Sequence, residues 1–261
     1  MKLRAFATLA LLLAPATASA YPTAVVFTPT GEAKPGGTVN LMAYASTNLA
    51  PAISPASTWF GAQVGLLPQF DYGSSGVKFG GLEAGFDTIS PYGRGIVKPV
   101  LNLKLGAVTE GKISPSVAAG IMEISPALPS MNFLYLASTK KLQFGAGPSF
   151  GRLTLGLGYS AGARAIFNGT LPFYDTRLAL MAAYESPMIA ERVGFIVDHF
   201  GGTSEVSGTY LGAMLCISDS TMIGAGAFLA NERSEPGSTY DGFYGMVSST
   251  FDVFKLFSTS P

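Results

Sequence analysis

The sequence predicts an all-β chain, one antiparallel barrel of about twelve strands (between ten and fourteen) that crosses a membrane on those strands. Three observations predict it. Charged residues make up only 12% of the 261 residues and glycines number 32, with a mean hydropathy of +0.36, which is apolar for a water-soluble domain. Beyond the N-terminal leader no run of some 18 uncharged apolar residues is present, so no spanning helix is written. Apolar and polar or small residues instead alternate at period two over stretches of roughly ten residues, the length a tilted strand needs to cross an outer membrane. A barrel pairs every backbone donor and acceptor between strands, the other arrangement besides a helix that hydrocarbon tolerates.

The elements follow in chain order. Met1-Lys2-Leu3-Arg4 places two positive charges before an apolar stretch from Ala5 to Ala14, and Ala18-Ser19-Ala20 supplies the small-x-small pattern of a cleavage site. Residues 1–20 therefore read as an export signal and residues 21–36 as a periplasmic lead-in, with entry into the barrel lumen as the open alternative. Residues 37–254 form the predicted barrel and residues 255–261 a tail.

The first strand is expected from Val39, Leu41 and Ala43 against Asn40. The second carries Phe60, Ala62, Val64 and Leu66 against Gly61, Gln63 and Gly65. Leu82, Ala84 and Phe86 alternate with Glu83 and Asp87, and Leu101, Leu103, Leu105 and Ala107 with Asn102, Lys104 and Gly106. Segments around Val117 and Leu134 have no decided face. Leu153, Leu155, Leu157 and Tyr159 alternate with Thr154, Gly156, Gly158 and Ser160. Weaker copies follow at Leu178 to Ala182, Val193 to Val197 and Leu211 to Leu215, then around Ile223 and Phe243.

The links supply an independent test, because bacterial barrels have an even strand number with short turns on the periplasmic side and long loops outside. Short links are predicted at 72–75, 110–112, 186–188 and 218–219, and long ones at 47–57, 89–95, 125–130, 162–172 and 231–239. The link at 200–204 is short where a long one is needed, and that at 142–150 long where a short one is needed. Prolines concentrate in these links, as they must when they cannot donate to a ladder. Both ends of the barrel then fall in the periplasm. Trp59, Phe70, Tyr72, Phe86, Tyr92, Tyr159, Phe173, Tyr174, Tyr184 and Phe200 lie near predicted strand ends, suited to membrane headgroups.

A soluble sandwich or lipocalin-like barrel also alternates. Its second face would carry charges and large polar groups, and here that face is mostly Gly, Ser and Thr. Cys216 is the only cysteine, which excludes an internal disulfide and a thiolate metal cluster. Zero net charge without basic runs argues against nucleic acid, and no cofactor is expected.

The lumen is expected to hold Gln63, Glu83, Asp87, Asn102, Lys104, Arg177 and Asp198, with Tyr44, Tyr210 and Tyr244 nearby. Both charge signs are present, so these groups either line a narrow path for solutes or pair with one another and fill the interior. His199 is the single histidine. It is predicted on the lipid face near the outer rim, where the next strand would bring Ser207 or Thr209 close. That pairing is what lipid hydrolysis would need; an amphipathic side chain at the membrane boundary is the plainer account. Gly156-x-Gly158 with Gly162 lacks dinucleotide-loop spacing and sits in a strand. Glu83 and Asp87 alone do not make a Ca²⁺ site.

As a whole the pattern resembles small bacterial outer-membrane barrels of the porin-like type. That resemblance implies a bacterial outer-membrane location, contact with outer-membrane lipids, biogenesis through the barrel-assembly machinery and a small-solute cargo. Residues 114–120 (SPSVAAG), 135–141 (YLASTKK) and 152–158 (RLTLGLG) are similar to barrels encoded with exopolysaccharide-secretion systems, which implies a role in polymer export; no functional residue carries over. Channel, filled accessory barrel and His199-dependent lipid hydrolase are the three functions this reading leaves open.

Overall fold

The computed structural model describes residues 25–48, 57–71, 77–90, 99–124, 132–143, 147–160, 178–202, 207–231 and 241–254. The leader at residues 1–20, Arg177 and the tail at 255–261 lie outside the described residues.

Strands β1 (Thr38–Asn48), β2 (Ser57–Gly65), β5 (Leu82–Ser90), β6 (Val100–Val108), β7 (Ser116–Ile124), β8 (Phe133–Gln143), β9 (Ser149–Ser160), β10 (Leu178–Glu185), β11 (Val193–Phe200), β12 (Gly208–Cys216), β13 (Thr221–Ala230) and β14 (Gly242–Asp252) pair in ring order. Pairing of β1 with β14 and of β6 with β7 closes the ring, so the wall is a closed antiparallel barrel of twelve strands. Thr38 sits opposite Asp252, which puts the two ends of the wall at one rim, as an even strand count requires.

Two short strands, β3 (Gln69–Asp71) and β4 (Lys78–Gly80), are additional. They pair with each other, and β4 touches the end of β6 at Phe79 and Val108. The sequence reading placed one short link at 72–75. The structure instead spends the β2 to β5 connection on a side hairpin, whose tip at 72–76 lies outside the described residues. Three-residue strands are too short to show a period of two. The β8 to β9 link is corrected in the other direction. Strand β8 runs on to Gln143 and β9 starts at Ser149, so the link shrinks to 144–148 and falls into the short class at the rim that holds the chain ends.

The outer surface explains the apolar composition. Leu101, Leu103, Leu105, Leu134, Leu136, Leu155, Leu157, Leu180 and Phe195 are all exposed, while the residues between them are buried or partly buried. In water this surface would be very unfavourable; it suits a barrel whose surroundings are hydrocarbon. No described helix is long and apolar enough to cross a membrane.

The inner surface departs from the expectation of small and polar groups. Tyr44, Phe133, Tyr135, Met181, Phe200, Tyr210, Met222, Phe228, Tyr244 and Met246 form one buried apolar cluster inside the ring, and Trp59 and Met122 pack against it. Trp59 and Phe200, read as headgroup-level aromatics, face inward. Glycines on neighbouring strands make this possible: a Cβ on Gly158 would collide with the Phe133 ring. The barrel is narrow enough for side chains to fill much of it.

Candidate functional site: a filled lumen and its clamp

The residues that complete the interior come from the chain preceding β1. Val25, Val26, Phe27, Thr28, Thr30, Gly31, Ala33 and Lys34 are buried, and their partners lie on strands all around the ring. This segment therefore runs inside the barrel, the second of the two placements that sequence reasoning left open for it.

At its inner tip the segment is held by one carboxylate. The amides of Val26, Phe27 and Thr28 donate to Asp198 Oδ2 at 2.7, 2.8 and 3.1 Å, and the Thr28 hydroxyl donates to Asp198 Oδ1 at 2.5 Å. Asp198 on β11 is fully buried. Successive amides converging on one oxygen form a backbone nest, which answers the desolvation of the carboxylate and of three peptide groups together. The residue was legible as an inward acid, but its partners were not, because they sit some 170 positions away in sequence.

Lower down, Gly31 donates to Thr139 Oγ1 at 2.8 Å, and a Cβ at this glycine would lie 2.5 Å from the Ser116 carbonyl oxygen. Only glycine lets the segment run this close to the wall. Lys34 donates its amide to Glu83 Oε2 at 3.1 Å, and Lys104 Nζ donates to Thr30 Oγ1 at 3.3 Å. Arg152 on β9 donates to Glu32 Oε2 at 2.5 Å and to Glu185 Oε2 at 3.4 Å. Sequence reasoning missed Arg152, Glu185, Glu32 and Lys34; the period of two that placed Thr154 inward also places Arg152 inward.

Above the clamp, Phe27 occupies an aromatic socket. Its ring centre lies 5.2 Å from Tyr44, 4.8 Å from Trp59 and 4.9 Å from Tyr210. Tyr210 stacks on Phe228 at 4.5 Å. Between the segment and the wall from β14 through β1, β2, β5, β6 and β7 to β8 a cavity of about 70 Å³ remains. Gln63, Glu83, Asp87, Asn102 and Lys104 line it together with Trp59, Met122 and Tyr135. The structure thus brings five of the seven predicted residues to one cavity, with Asp198 apart from them at the clamp. Asn102 donates to Asp87 across the β5–β6 pair.

His199 lies opposite Thr209 in the β11–β12 register, and its Nδ1 is 3.0 Å from Thr209 Oγ1. Ser207 is buried and donates to the Gly201 carbonyl at 3.2 Å. The neighbouring acid, Asp198, points to the opposite side of the strand and is committed to the segment. Among the described residues no group of three or more His, Cys, Asp and Glu side chains is placed to hold a metal.

No family model and no curated protein matches this chain. Among solved structures, the chain is similar to an outer membrane channel from Pseudomonas putida F1, at 12% identity and a TM-score of 0.45, over 84% of this chain and 96% of that one. It is also similar to engineered variants of Rhodopseudomonas blastica porin, at 7% identity and a TM-score of 0.31, over 83% of this chain and 99% of those.

Proposed function

We infer that this chain spans a bacterial outer membrane and acts there as a narrow channel for small solutes, with its own N-terminal segment setting how open the lumen is. The observation that carries the reading is the manner in which the segment is held. It is fixed by side-chain contacts to Asp198, Thr139, Glu83 and Arg152, inside a wall whose own ring is already closed without it. The second reading, an accessory barrel with a permanently filled interior, is favoured by the burial of Val25 and Phe27 in the apolar cluster.

Planar-bilayer recording separates the two. The full chain and a chain lacking residues 25–36 are compared after heat-modifiable gel migration has shown that both are folded in the outer-membrane fraction. Small conductance steps that grow on deletion support the channel. Silence from both chains favours the filled barrel, and recovery as a soluble periplasmic species removes the membrane location.

A further inference from the structure

We propose that the side hairpin β3–β4 is a foot on the periplasmic leaflet of the membrane. Its outer side seats two phenylalanine rings among phospholipid chains, and its inner side latches the N-terminal segment where that segment enters the lumen. The proposal rests on the membrane location inferred above and is independent of conduction.

The register decides which way the rings point. Val117 on β7, Val108 on β6, Phe79 on β4 and Phe70 on β3 stand opposite one another in a single row. Opposed residues of antiparallel strands share a side. Beside Val117, Ala118 is buried, and Ala119, opposite Leu105, is exposed with the wall; the row therefore faces outward. Strict alternation from Leu105 or from Leu82 would turn Val108 and Phe79 inward. Two irregularities reverse that: the register slips between Gly106 and Val108, and Gly80 and Gly81 hold φ of +86° and +99°, a conformation natural only to glycine. Bulges re-aim side chains in this way.

Phe70 is left 63% exposed and Phe79 40% exposed, with Leu66 and Leu67 exposed at the base of the hairpin. Bare rings in water are unfavourable. This surface continues through Ala107 from Leu101, Leu103 and Leu105 on the outer wall, and that continuity makes phospholipid its occupant. The next pair toward the tip, Asp71 opposite Lys78, is exposed and joined at 3.7 Å. Apolar wall, rings and a neutral ion pair follow the order of acyl chain, interface and zwitterionic headgroup.

The other side of the same three-residue strand holds the segment. Gln69 Nε2 donates to the Ala33 carbonyl at 2.9 Å. Ala33 is buried against the hairpin base, where a Cβ on Gly106 or Gly81 would lie 2.9 or 3.3 Å from its own. The Gly37 amide donates to the Gly65 carbonyl at 3.0 Å, and the Thr109 amide to the Lys78 carbonyl at 2.8 Å. A two-stranded hairpin is marginal without support. A hold on Phe70 by lipid is thus a hold on its neighbour Gln69.

Trp59 is the only tryptophan and faces inward, so Phe70→Trp adds one reporter at the foot and Leu105→Trp one on the wall. Each full chain is reconstituted in phosphatidylcholine vesicles with acyl chains brominated near the headgroup, with acrylamide as the quencher in water. Bromine should quench the emission added at residue 70 within about twofold of that added at residue 105, and acrylamide should not, as expected for a ring at the interface. Phe79→Trp takes the place of Phe70→Trp should the latter not fold. In the same lipid without bromine, Phe70→Ser/Phe79→Ser and, separately, Gln69→Leu should speed exchange of the Lys34 amide about tenfold while the Ala183 and Tyr184 amides of the wall are unchanged. Acrylamide quenching at residue 70 beside bromine quenching at residue 105 would mean that the hairpin stands in water, free for a periplasmic protein, and would overturn the proposal. Unchanged Lys34 exchange in the folded variants would overturn it equally. Loss of bromine quenching at residue 105 as well would instead remove the membrane location on which it rests.

Discussion

Removing the Asp198 carboxylate should release the inner tip of the N-terminal segment while leaving the barrel wall intact. In Asp198→Ala the amides of Val26, Phe27 and Thr28 lose their common acceptor. Each buried unsatisfied amide costs about 1–3 kcal/mol. The three share one site and are not additive, so a total of about 3–6 kcal/mol follows from the same per-group figure. Asp198→Asn keeps one carbonyl oxygen for the amides and turns an NH₂ toward the Thr28 hydroxyl, which can accept. It forfeits mainly the charge assistance, about 1.5 kcal/mol. At 1.4 kcal/mol per factor of ten, the asparagine variant should lower tip protection roughly tenfold and the alanine variant by more than about a hundredfold. Hydrogen exchange of the Val26, Phe27 and Thr28 amides reads this directly, with the β10 amides of Ala183 and Tyr184 as an internal reference for the wall. If the three amides stay fully protected in a folded Asp198→Ala barrel, the carboxylate is not what holds the segment.

Three further outcomes follow from the same contacts. Phe27→Ala empties the socket formed by Tyr44, Trp59 and Tyr210 and should weaken segment docking by about 3–5 kcal/mol, the usual loss for a buried Phe; protease cleavage ahead of β1 should accelerate, and an unchanged rate would refute it. Arg152→Met strands Glu32 and Glu185 without their shared cation and should destabilise by about 3–5 kcal/mol, with Arg152→Met/Glu185→Leu recovering part of the loss of thermal stability. Leu157→Arg places a charge between Leu136 and Leu180 on the outer wall and should cost about 2–4 kcal/mol by denaturant titration in lipid vesicles; a neutral effect would mean that this face does not meet lipid.

The wall was legible in the sequence wherever strands were long enough to show their period. Leu101 to Ala107 and Leu153 to Tyr159 announce both their strands and their outward faces. The side hairpin at Gln69–Gly80 escaped because two three-residue strands carry no alternation. The link after β8 read as a long loop, from Leu142 to Phe150, although the strands flanking it reach to Gln143 and Ser149. Inward polar residues such as Glu83, Lys104 and Asp198 were recoverable from the same alternation, since a charge opposite a lipid-facing leucine has only one direction available. Their partners were not, because Asp198 with Val26 and Arg152 with Glu32 are contacts set by barrel closure rather than by local pattern. The aromatic interior was misread for a different reason. Phe200 shares the inward phase of Asp198, and Trp59 that of Gly61, but both were grouped by their place near strand ends, where rings also suit headgroups, rather than by that phase.

Because Phe27 is joined to the wall by the short stretch ending at Gly37, it behaves as a tethered ligand. A short tether holds its attached group at an effective concentration on the order of millimolar. Any free molecule that seeks the same rings competes against that standing local concentration, so its apparent affinity is lower than its intrinsic one by the fraction of time the segment stays seated. The length of chain between Phe27 and β1 is then itself a tuning element. Lengthening it with inserted glycines would loosen the competition without altering a single residue of the socket.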